Sequence, residues 1–99
     1  MNPASIGRIV HVLVDPAQNN GSDVAPALVV RVWGEPHGGT DGLERRQSVN
    51  VRVLGDNAES MWLTSIELFD TRPRAEALAA AKPHNPQGYR AVAFWPPRV

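Results

Sequence analysis

The residues of this chain that could do chemistry are His11, His37 and His84, ten carboxylates, scattered hydroxyls and one glycine-rich run. The histidines fall on a strand-like stretch, in a long loop and in a proline-rich segment, with no His-x-x-x-His pair and no compact acid cluster. Zinc needs three or four ligands converging at about 2.0–2.3 Å. These spacings predict no such convergence, so neither a metal nor another cofactor is expected, and His11 is expected as a core or interface histidine. Nucleophilic catalysis lacks its parts as well. There is no cysteine, no serine stands in a Gly-x-Ser-x-Gly elbow, and an acid pair such as Asp41 and Asp56 is far apart along the chain. The run His37-Gly38-Gly39-Thr40-Asp41-Gly42 has the glycines of a phosphate cradle. It lacks the Lys and Ser/Thr that follow in a P-loop, and it does not join a strand to a helix. The expectation is a protein without catalytic residues.

Recognition chemistry is what remains. Nine of the ten basic residues are arginine, Lys82 being the exception, and the tryptophans are Trp33, Trp62 and Trp95. Arginine suits bidentate anion recognition, and Trp and Arg are over-represented in binding hot spots. A GC-rich coding sequence would give the same arginine bias, and three Trp in a small barrel also serve as core edge. Trp33 shares a strand face with Arg31 and opens into the stretch Gly34–Gln47, which carries His37 and the pair Arg45-Arg46. Arg31, Trp33, His37, Arg45 and Arg46 are therefore the candidate partner-binding residues. Arg90 and Trp95 form a second candidate edge.

Those residues must be positioned by one small domain. Ninety-nine residues leave no room for two cores, and without cysteine stability rests on apolar burial. The absence of cysteine fits a reducing compartment. No apolar run has the length of a membrane span, and Met1-Asn2-Pro3-Ala4-Ser5 has neither the basic nor the apolar region of a secretion signal. No membrane partner is expected. Asn20-Gly21-Ser22 matches a glycosylation sequon, but Asn-Gly is read as a turn. The ten acids balance the ten bases, which argues against nucleic acid as partner.

Period-two apolar stretches dominate. Ile6–Val14, Ala27–Trp33, Ser48–Leu54, Met61–Phe69 and Tyr89–Trp95 read as strands, bounded by turn residues such as Asp15-Pro16 and Gly55-Asp56-Asn57. Leu28, Val30 and Val32 are expected on one face of the second strand, with Ala27, Val29, Arg31 and Trp33 on the other. In the fourth, Trp62, Thr64, Ile66 and Leu68 are expected on one face. Gly34–Gln47 reads as irregular, broken by its glycines and Pro36. Val30, Val51 and Ile66 are expected in the core, with Arg45 and Arg46 exposed. Asp70 or Thr71 caps a short helix over Arg74–Ala81, with Leu78 its only large apolar contact. The fold expected is a mainly β, five-stranded SH3-like or OB-like barrel with one short helix before the last strand. Consecutive strands pairing as a meander favour the SH3-like form.

Five segments appear in order: Gly7-Arg8-Ile9-Val10-His11, Pro26-Ala27-Leu28-Val29-Val30-Arg31-Val32-Trp33, Val49-Asn50-Val51, Trp62-Leu63-Thr64-Ser65 and Phe94-Trp95-Pro96. As an ordered set they resemble a family of small, largely uncharacterised proteins of tailed bacteriophages and prophages. The resemblance covers most strands but not Phe69 to Gly88, where this chain has an Ala-rich insertion in place of a short acidic turn. It implies a viral origin and a place in the virion or the host cytoplasm, and it supplies no catalytic or ligand residues. One function that follows is a virion component, a barrel decorating the head or filling a head–tail joint, whose partners are other subunits of the assembly or its own copies. The other is a host-directed protein that blocks a defence protein or sequesters a nucleotide signal, with Arg31, Arg45 and Arg46 on phosphates and a Trp stacked on a base.

Overall fold

In a computed structural model the chain is described over residues 3–38, 45–56, 61–79 and 89–96. Five strands, β1 (Ile9–Val14), β2 (Val24–His37), β3 (Arg46–Val53), β4 (Met61–Phe69) and β5 (Tyr89–Phe94), close into a barrel in sequence order. A 3-10 turn (Pro16–Gln18) follows β1, and a helix, α1 (Arg72–Ala79), precedes β5. Neighbours from β1 to β4 pair antiparallel, and β5 returns antiparallel to β1. The order is that of the SH3-like meander rather than the Greek key of an OB-fold. The last seam is different. β5 runs parallel to β4, with Phe69 beside Phe94. A parallel pair needs a crossover of about a dozen residues or more, and the segment holding α1 is that crossover.

Valine and alanine fill the interior because a small barrel has little room. Val10, Val12, Val29, Val49, Val51 and Val53 are completely buried there, joined by Ile66 and Leu68. A second apolar cluster lies outside the sheet, under α1. Ala75 and Ala79 of the helix cover Leu13, Phe69, Val92 and Phe94. The helix thus docks through alanines, which let its backbone approach closely. The Leu78 side chain lies outside the described residues, as do residues 80 and 81 of the expected helix. The helix starts two residues earlier than expected, with the Thr71 carbonyl accepting from Ala75 N–H at 3.2 Å.

Both ends of the stretch expected as an irregular loop are strand. β2 continues through Gly34, Glu35, Pro36 and His37, and β3 begins at Arg46. Gly34 sits at φ 64, a left-handed conformation open to glycine, where the register shifts between Trp33, paired with Ser48, and His37, paired with Arg46. Residues 39–44 lie outside the described set. The Asn-Gly turn is present, with Asn20 at φ 49 and Gly21 at φ 90.

Two bulges change which residues face inward. In β2 the register shifts between Val29 and Arg31, and in β4 it shifts between Leu63 and Ile66, opposite Val51 and Val49. A bulge inserts an extra residue and reverses the alternation beyond it. Both strand-face expectations are therefore corrected. On β2, Ala27 and Val29 point inward, then Val32 does, and Val30 at the bulge is only half-buried. On β4, Leu63 points inward before the bulge and Ile66 and Leu68 after it, leaving Trp62 and Thr64 exposed.

Candidate functional site

The buried polar residues among those described are Asn19, Gln47 and Asn50, and each ties backbone. Gln47 Oε1 accepts from Ala4 N–H at 2.7 Å while its Nε2 donates to the Gly34 carbonyl at 3.0 Å, holding the N-terminal segment beside β2. Asn19 Nδ2 donates to the Ser22 and Val24 carbonyls, and its Oδ1 accepts from Asp56 N–H at 2.6 Å. That joins the β1–β2 connection to the turn after β3.

Asn50 does something different. It lies on the outer side of β3, between Val49 and Val51 that face inward, yet only 6% of it is exposed. Both bulges lie opposite it. Its Oδ1 accepts from Ser65 N–H at 2.7 Å, from Trp33 Nε1 at 2.9 Å and from Thr64 Oγ1 at 3.1 Å. Ser65 holds φ 54, a conformation uncommon for residues other than glycine, and the bond to Asn50 holds it there. One amide oxygen thereby fixes the β4 bulge and the edge of the Trp33 ring.

With its N–H anchored, Trp33 turns the rest of its indole outward and is 42% exposed. The Arg31 guanidinium lies over that ring, 3.9 Å from its centroid. Across the sheet Leu28, Arg52 and Trp62 stand in register on β2, β3 and β4, and all three point outward. Trp62 is 53% exposed and Leu54, just past the end of β3, is 46% exposed. Ile9 of β1, also exposed, pairs with Leu28 at the margin. Large apolar side chains left in water thus gather on the outer face of β2–β4, with Arg31 and Arg52 among them. Neither arginine makes an ion pair among the described residues.

The other candidates are placed differently. His37 is exposed at the end of β2, in register with Arg46. Arg45 is exposed and donates from Nη1 to the Gly38 carbonyl at 2.9 Å, bridging the base of the β2–β3 hairpin. Arg46, expected to be exposed, is half-buried, with Nε 3.3 Å from Glu67 Oε1. The angle there is not that of a hydrogen bond, so the contact is an ion pair alone. Trp95 is half-buried against the interior cluster, and the Arg8 guanidinium lies 5.5 Å from its ring centroid. The side chain of Arg90 and all of His84 lie outside the described residues. Arg52, Leu28 and Asn50 belong to the face without a signal singled out in the sequence, and Trp62, weighed there as binding or core edge, belongs to it too. The signal available was alternation in β3, which places Asn50 and Arg52 on the side away from the valines.

His11 points outward from β1, its ring edge-on to Phe94 with centroids 5.6 Å apart. Burial, and secondarily the Arg72 guanidinium, hold its pKa below the ordinary 6.5. Arg72 in turn is tied to Asp23 and Glu76. A depression of about 180 Å³ lies nearby, lined by Asp70, Thr71, Arg72, Pro73 and Trp95. It is smaller than the roughly 300–1,000 Å³ of small-molecule sites. Among the described residues no group of three or more His, Asp or Glu is placed to hold a metal ion. The Thr64 and Ser65 hydroxyls lie 3.4 Å apart, and their hydrogen-bond partners are Asn50 and each other, none of them a titratable group.

Fold and face together define a closed five-stranded barrel with an arginine-bearing aromatic surface on one side. Comparison with protein-family models, with curated proteins and with solved structures returns no match.

Proposed function

We propose that this chain is a non-enzymatic binding barrel that associates with other proteins through the outer face of β2–β4. In the setting implied by the resemblance to phage proteins, it serves as a virion-associated component at the head or the head–tail joint. The observation that carries the reading is the gathering of Trp33, Trp62, Leu28 and Leu54 beside Arg31 and Arg52 on one solvent-facing side. Exposed apolar patches rimmed by polar groups mark interaction sites, and Trp and Arg are the residues that dominate binding hot spots. Every strand of the barrel is paired on both sides over part of its length, and we assign the association to side chains on this face rather than to a strand edge.

The host-directed reading, in which Arg31, Arg45 and Arg46 hold a nucleotide's phosphates, draws less support. Arg45 is spent on the hairpin base and Arg46 faces Glu67, which leaves Arg31 alone of the three for a phosphate. Mass spectrometry of purified particles from the encoding phage tests the proposal, using the parent chain and the double variant Trp33→Ala/Trp62→Ala. The chain is expected in the particle, and the folded variant is expected to be lost from it. A chain found only in the soluble fraction, bound to a host protein or a nucleotide, would overturn the virion assignment.

A further inference from the structure

Arg31 and Arg52 hold a fixed relation on the binding face. Arg31 stands in register with Asn50, and Arg52 is two residues further along β3. The two are therefore diagonal neighbours on adjacent strands across the Val30 bulge, and diagonal pairs in a regular ladder lie about 7–8 Å apart. Both are exposed, and neither has a carboxylate among the described residues. In an extended chain, side chains at i and i+2 lie on the same side about 6.6–6.8 Å apart. The two backbone spacings differ by about 1 Å, which the long arginine stems can span. Apolar residues flank the pair on both sides, with Leu28 and Trp62 in the Arg52 row and Trp33 beyond Arg31.

Building on the proposed binding role, we infer that this face takes an extended acidic segment of a partner protein, with carboxylates two residues apart and apolar side chains outside them. Charge complementarity sets the choice of occupant. A second copy meeting this face with its own would bring four guanidiniums together, which like-charge repulsion disfavours. Single-stranded nucleic acid fits less well. One side of the Trp33 ring is already covered by Arg31, and Leu28, Leu54 and Ile9 offer no plane for a base, so Trp62 is left as a single stacking platform where a strand of bases needs several.

The test uses the full chain and fluorescein-labelled peptides of the form Leu-Ser-Glu-Ser-Glu-Ser-Leu, with Gln and Lys versions at both Glu positions, and octathymidylate as a nucleic-acid probe. Anisotropy is expected to show the Glu peptide binding at least about tenfold tighter than the Gln peptide, and more weakly as salt rises. The Arg31→Gln/Arg52→Gln variant is expected to erase that preference, as is Arg52→Gln alone in large part, with the Trp indole N–H resonances still reporting a folded face. Equal binding of the Glu and Gln peptides would overturn the acidic preference while leaving the face a docking surface. Absence of Glu-peptide binding at about 1 mM, or tighter binding of octathymidylate, would overturn it too. Loss of Trp33→Ala/Trp62→Ala from the particle is read separately, so failure here is distinguishable from failure of the binding role itself.

Discussion

At the scale of single residues, Asn50 decides the shape of the exposed face. Its oxygen serves a backbone N–H, an indole N–H and a hydroxyl at once. Asn50→Ala leaves the Ser65 and Trp33 donors without that acceptor, and the expected loss is about 1–3 kcal/mol in denaturant unfolding. Asn50→Asp keeps an acceptor oxygen and is expected to lose less. Ser65 gives a related prediction. At φ 54 a β-branched side chain is strained, so Ser65→Val should lower the urea midpoint while Ser65→Gly should leave it nearly unchanged. His11 links stability to pH. Its folded pKa is lowered from 6.5, so the unfolded chain takes up the proton first as pH falls. The His11 contribution is complete above about 6.5 and declines as pH drops from there toward the lowered folded value. His11→Phe retains a ring against Phe94 and removes the proton. Urea midpoints at about pH 7.5 and about pH 5.5 should fall further for the parent than for this variant.

At the scale of elements, alternation told much of the truth and stopped at the bulges. The strand Met61–Phe69 was legible in full, and Val49, Val51 and Val53 alternate inward as their spacing requires. Period-two reasoning assumes that parity persists along a strand. Thr64-Ser65 break that assumption where Asn50 of β3 bonds to them, and Val30 breaks it where the register of β2 against β3 shifts. Only the folded neighbourhood of Asn50 reveals them. Val51→Ala should therefore cost about 1–4 kcal/mol, whereas Val30→Ala, at a half-buried bulge, should cost less in the same denaturation series. The second strand's extension past Gly34 was hidden for a similar reason. Glycine and proline read locally as breakers, but the pairing of His37 with Arg46 returns that segment to the sheet. The helix was legible from propensity. Its docking through Ala75 and Ala79 rather than a large side chain was not, because close approach is a property of the surface beneath it.

At the scale of the whole molecule, two apolar clusters and a closed hydrogen-bond ladder make a rigid scaffold. The pair Arg31 and Trp33 was readable from the sequence because both lie on one strand two residues apart. Arg52 and Trp62 join them only through cross-strand register, which no local pattern contains. The central claim is that this composite face is buried when the protein works. Hydroxyl-radical footprinting of the tryptophans, in the free chain and in the assembly with which it co-purifies, tests that most directly. The account predicts strong protection of Trp33 and Trp62 in the assembly, with Trp95, already packed against the interior, changing little. Equal oxidation of Trp33 and Trp62 in the free and assembled protein would contradict it.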